Sequence, residues 1–99
     1  MYFIVSWDIG TTEPAWSKID EQLRNCFKGF QQIRPVNTFY MVKVANAQQY
    51  QAIYACLLKI AKDSTTVKVH FIISPLLTVS GWDGWLPQDR WPKIKEITS

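Results

Sequence analysis

Ninety-nine residues, 47% hydrophobic and 19% charged, specify one globular domain rather than a disordered chain or several domains. The formal net charge of +3 and a pI of about 9.0 permit nucleic-acid binding without demanding it. No apolar run reaches the length of a membrane span, and the sequence predicts a cytoplasmic protein with no membrane partner.

The chain opens Tyr2-Phe3-Ile4-Val5-Ser6-Trp7-Asp8-Ile9-Gly10. A β-branched and aromatic run of this kind predicts a strand, and Asp8 stands where it ends. A carboxylate there can hold a divalent metal or position a water; it can equally serve as a turn residue before Gly10.

Trp16, Ile19, Leu23, Cys26, Phe27 and Phe30 then recur at helical spacing, with Lys18, Asp20, Glu21, Gln22 and Arg24 on the other face. This predicts an amphipathic helix near 14–28, capped by Thr12 and ended by Gly29. Residues 31–36 read as a short strand weakened by Pro35, and Phe39 to Val44 as a firmer one.

Asn46 and Gln49 have capping-box spacing before a helix near 47–62 carrying Tyr50, Ile53, Tyr54, Leu57 and Ile60. Residues 66–74 predict a last strand stopped by Pro75. The remainder, 79–99, forms a Trp-rich extension holding three of the five tryptophans, with Asp89 expected to cap a short helix through Trp91, Ile94 and Ile97. Cys26 and Cys56 fall on helical stripes and read as buried free thiols. With one histidine and no close cysteine pair, a structural zinc site is not expected.

The order strand, helix, strand, strand, helix, strand predicts an α+β, ferredoxin-like βαββαβ sandwich, a single domain over 1–99. One sheet face of such a sandwich carries both helices and the other meets water, so strands should alternate apolar and polar. The last strand does, with Lys68 and His70 between Val67, Val69 and Phe71. The first does not, because Phe3, Val5 and Trp7 oppose Tyr2, Ile4 and Ser6. Phe39, Met41 and Lys43 likewise oppose Tyr40, Val42 and Val44. Apolar side chains on both faces call for a cover: the Trp-rich extension, a second copy of the chain, or nucleic-acid bases.

Tyr2, Tyr40, Trp82 and Trp85 are the candidate interface aromatics, able to stack on bases or to pack against a partner. Arg34, Lys43 and Lys68 are the candidate phosphate contacts. His70 reads as a surface residue, with a general base as the sharper alternative.

Ile4-Val5-Ser6-Trp7-Asp8-Ile9 resembles the opening of the small CRISPR-associated adaptation proteins (Cas-two) and their SinR-like and VapD-like relatives. The segment 34–43 occupies the place of that family's second and third strands, and Gly81-Trp82-Asp83-Gly84-Trp85-Leu86-Pro87 is similar to the ends of SinR-like members. The resemblance implies a homodimer in which the sheets of two subunits face each other. It also implies RNA or DNA as a partner. Asp8 would be the catalytic and metal residue of a nuclease using Mg2+ or Mn2+, its carboxylate meeting the second subunit's near the dimer axis. The alternatives are a non-catalytic nucleic-acid binder of the same fold, and a protein-interaction module such as an inhibitor or toxin–antitoxin component. Where the family often carries a basic cluster after the aspartate, this chain has Gly10-Thr11-Thr12-Glu13-Pro14.

Overall fold

The structure is a computed structural model that describes residues 1–99. Its elements are β1 (Tyr2–Ile9), α1 (Ala15–Asn25), β2 (Gln32–Val36), β3 (Phe39–Lys43), α2 (Ala47–Asp63), β4 (Val69–Ile73) and α3 (Trp91–Thr98), the last entered through a 3-10 turn at Gln88–Arg90. The strands form one sheet in the order β2-β3-β1-β4 with every neighbouring pair antiparallel. Each β–α–β unit therefore skips over one strand, which gives the ferredoxin-like α+β arrangement.

Both apolar faces of the sheet are used. Phe3 and Val5 of β1 join Tyr40 and Val42 of β3 and Val69 of β4 beneath Leu23 of α1, Phe27 in the turn after it, and Ile53 and Leu57 of α2. On the opposite face, Tyr2 and Met41 are buried by Ile94 and Ile97 of α3. The extension that follows β4 thus returns across the sheet of its own chain. It is tied there by a two-way backbone pairing of Tyr2 with Leu77 and by the Tyr2 hydroxyl, which donates to the Val79 carbonyl at 2.8 Å.

Local chemistry sets the element ends. Asn46 caps α2 as its side chain accepts from the Gln49 N–H at 2.9 Å, and the Gln49 amide oxygen accepts from the Ala45 N–H at 2.7 Å. The expected box is present, with its return bond one residue earlier than the standard form. At α1 the cap differs from expectation. Thr12 contributes its carbonyl to Trp16, while the Glu13 carboxylate accepts from the Ser17 N–H at 2.7 Å. That helix ends at Asn25, and the turns after it lead to Gly29 at φ +94°, a left-handed conformation that glycine adopts without steric cost. Asp89 lies in the 3-10 turn and makes no cap for α3.

The cysteines are not the free thiols their helical spacing predicts. Cys26 and Cys56 form a disulfide across 30 residues of sequence, with Cα atoms 5.7 Å apart, and no thiol remains free. Cys26 follows the last turn of α1 and Cys56 is exposed on α2, so both sit at the edges of the helical stripes, where the two helices come side by side.

Candidate functional site

Alternation along β1 puts Ser6 and Asp8 on the face away from α1 and α2, the face that α3 covers only in part. Asp8 is exposed, and the register sets it directly across from His70. Ser6 lies across from Ile72, whose surface is 74% exposed. The Ser6 hydroxyl donates to the Thr38 carbonyl, tying β1 to the β2–β3 turn. The half of the outer face made by β1 and β4 is therefore bare, with one carboxylate, one imidazole and one large aliphatic side chain on it.

No three His, Cys, Asp or Glu side chains cluster anywhere in the chain. Magnesium takes near-octahedral oxygen ligation, usually from one or two carboxylates, several waters and substrate phosphates. Asp8 alone supplies one carboxylate, and the neighbour facing it is an imidazole, which suits other metals better. The residues of a single chain do not fit a magnesium or manganese centre of the two-carboxylate kind.

The candidate phosphate contacts do not converge. Arg34 Nη2 donates to the Asn37 carbonyl at 2.7 Å, and its guanidinium lies 5.2 Å from the centre of the Tyr40 ring. Lys43 Nζ donates to the Glu96 carbonyl at 3.1 Å, near the C-terminal end of α3, where a cation is favoured by the unpaired carbonyls. Lys68 is exposed just before β4.

The interface aromatics divide. Tyr2 is fully buried in the chain's own outer-face core, and its oxygen accepts from Trp82 Nε1 at 2.6 Å. Tyr40 faces the helix side, stacked on Trp7 with ring centres 5.2 Å apart and 21° between planes. Neither ring is open to a base or a partner in this chain, because each fills its own protein's interior. Trp85, by contrast, is 99% exposed. With Trp82 and Trp91 it borders a groove of about 670 Å³ on the extension.

A polar cluster escaped the sequence reading. The helical spacing puts Asp20 on the polar face of α1, yet it is buried. Trp7 Nε1 donates to one carboxylate oxygen at 3.0 Å and Arg24 Nε to the other at 2.9 Å. The hydrogen bond to Asp20 holds the Arg24 guanidinium above its ordinary pKa. Burial pushes the Tyr40 hydroxyl up, and the Arg34 charge opposes part of that shift. Trp7, Asp20, Arg34 and Tyr40 wall a small cleft of about 90 Å³ beside Ser6 and Thr38. The four-residue spacing of Asp20 and Arg24 was a usable signal for the ion pair. The reach of Trp7 to Asp20 from another element was not.

No protein-family model matches the chain, and no curated protein matches it. Among solved structures it is similar to the hypothetical protein MJ1052 from Methanocaldococcus jannascii, with 14% identity over 93% of each chain and a TM-score of 0.45.

Proposed function

We propose that the chain works as a homodimeric, nucleic-acid-binding protein of the Cas-two-like kind, and that it binds rather than cleaves. The observation that carries this reading is the half-bare outer face. The strand-end aspartate of the resemblance lies on an uncovered strip of β1 and β4 beside exposed Ile72, and that strip is open to a second copy. Charge supports the nucleic-acid part. The chain is net positive, and of its basic side chains only Arg24 and Lys93 sit in salt bridges. Lys18, Lys28, Lys59, Lys62 and Lys68 are exposed and free to meet phosphates, and Arg34 is exposed with its guanidinium held at Asn37 and Tyr40. Trp85 adds a fully exposed ring on which a base can stack. The reading of binding without cleavage is supported by Asp8 standing without a companion carboxylate or other clustered ligand within its own chain.

The test is fluorescence anisotropy with labelled single- and double-stranded RNA and DNA across a salt series, beside cleavage assays with Mg2+ and Mn2+. The expected result is binding that weakens steeply with salt and no cleavage attributable to the protein. Binding that is absent at low salt overturns the nucleic-acid reading and favours the protein-interaction module. Cleavage that disappears in Asp8→Asn with folding retained overturns the non-catalytic reading in favour of a nuclease.

A further inference from the structure

The two edges of the sheet are built differently. At the β2 edge, Pro35 removes a backbone donor, the pairing with β3 shifts register between Ile33 and Val36, and Arg90 Nη1 occupies the Pro35 carbonyl at 2.6 Å. The β4 edge carries none of these devices. Its five residues, Val69 to Ile73, contain no proline, no bulge and no charge beyond His70.

The direction of its backbone groups follows from the register. Ser74 N donates to the Ile4 carbonyl and Gly10 N to the Lys68 carbonyl, each at 2.8 Å. Both pairs share the register in which Ser6 faces Ile72 and Asp8 faces His70. The even-numbered residues of β4 therefore bond to β1, and the N–H and C=O groups of Val69, Phe71 and Ile73 point away from the sheet. None of those outward groups has a partner among the turn, loop and side-chain hydrogen bonds of the chain.

We propose that β4 is the homodimer seam: two copies pair antiparallel along this edge, with the two-fold axis at Phe71, and join their four-stranded sheets into one. The proposal rests on the homodimer reading above and puts its contact at the sheet edges, in place of the facing sheets that the resemblance implies. The edge is complementary to itself. With Phe71 opposite Phe71 of the second copy, Val69 meets Ile73, and every outward donor finds an outward acceptor, about six hydrogen bonds in all. Sliding one copy so that Ile72 lies on the axis sets Val69 against Pro75, which has no N–H to give.

Side chains agree with the same register. Lys68 faces Ser74, and His70 faces Ile72, so no like charges oppose each other across the seam. On the outer face the exposed Ile72 lies beside the facing His70 imidazole and diagonal to Ile72 of the second copy. On the inner face the half-buried Phe71, already 6.0 Å from the Tyr54 ring, meets its symmetry mate. The geometry also separates the aspartates. Three strand spacings of about 4.8 Å and a two-residue stagger leave the two Asp8 carboxylates roughly 16 Å apart, too far to share one ion.

The experiment combines sedimentation of the full chain across micromolar concentrations with amide exchange followed by NMR. In a monomer the amides of Val69, Phe71 and Ile73 exchange quickly while His70 and Ile72 are protected; in the seam-paired dimer all five are protected. Ile72→Lys, at an exposed position, should weaken the dimer about tenfold or more and restore fast exchange at the odd positions. Val36→Lys on the opposite edge should leave the dimer intact. Phe71→Cys should give a covalent dimer on oxidation, because Cα atoms about 5.5 Å apart suit a disulfide and the native cysteines are already paired. A wild-type monomer at every concentration overturns both the seam and the homodimer reading. A dimer whose odd amides still exchange quickly, and that Ile72→Lys does not weaken, overturns the seam alone.

Discussion

Cys26 and Cys56 carry the largest single-residue consequence. Their bond closes a stretch of 30 residues that holds β2, β3 and half of α2. Loop-closure entropy assigns such a link about 3.5 kcal/mol through restriction of the unfolded chain. The Cys26→Ser, Cys56→Ser double variant should lose about that much stability in urea unfolding. A reductant should lower the wild-type midpoint and leave the double variant unmoved, and intact-mass measurement after alkylation without reduction should find no modified cysteine. Tyr40 gives a pH dependence. Burial raises its pKa above the unfolded value near 10, so the native state keeps the phenolic proton longer than the unfolded state does. Its contribution is whole below about pH 10 and is lost as pH climbs through the raised folded value. Far-UV circular dichroism from pH 9 to 12 should show wild type losing stability across that window, and Tyr40→Phe losing less of it.

At the scale of elements, α3 explains why the strands looked doubly apolar. Period-two alternation says which residues share a face, but when both faces are apolar it does not say which face the main helices take. Tyr40 was legible as a neighbour of Val42 and Val44, yet not as a ring beneath α1 and α2. Tyr2 was legible as a partner of Ile4, yet not as the floor under α3. The element order, the Asn46 cap and the amphipathic stripe of Leu23 and Phe27 were readable because their signals are local. The disulfide and the Trp7–Asp20 bond were not, since each joins residues from separate elements and leaves no periodic trace. Lys68 fell outside β4 for a related reason: residues 66–68 alternate like a strand, but the chain there has only just left the turn after α2. Capping is the element property open to the simplest test. Asn46→Ala removes the acceptor for the Gln49 N–H and should cost about 1 kcal/mol in urea unfolding, while Asn46→Asp, which keeps an acceptor, should cost less.

For the molecule as a whole, the question is whether two cores on opposite faces of one sheet unfold together. The strand β1 belongs to both, with Phe3 and Val5 on the helix side and Tyr2 on the α3 side, all fully buried. Losing α3 would expose Tyr2 and Met41 and uncover Leu77, which packs on the same cluster and pairs with Tyr2 beside β1. Losing the helix layer would leave a thin sheet backed by eight residues of helix, too little apolar burial to persist. The shared strand therefore makes the two layers interdependent, and a domain of this size is expected to unfold in one step. Ile97→Ala empties space in the outer core and Leu57→Ala in the inner one; both side chains are fully buried, so each change should cost about 2–5 kcal/mol. The tryptophans report the layers separately in character, Trp7 and Trp16 packing on the helix side and Trp91 on the outer side. Fluorescence and far-UV circular dichroism should give coincident transitions in wild type and in both variants, displaced to lower urea by comparable amounts. A transition in Ile97→Ala that moves the fluorescence alone, with the circular dichroism midpoint unchanged, would show that α3 and its core detach as a unit of their own.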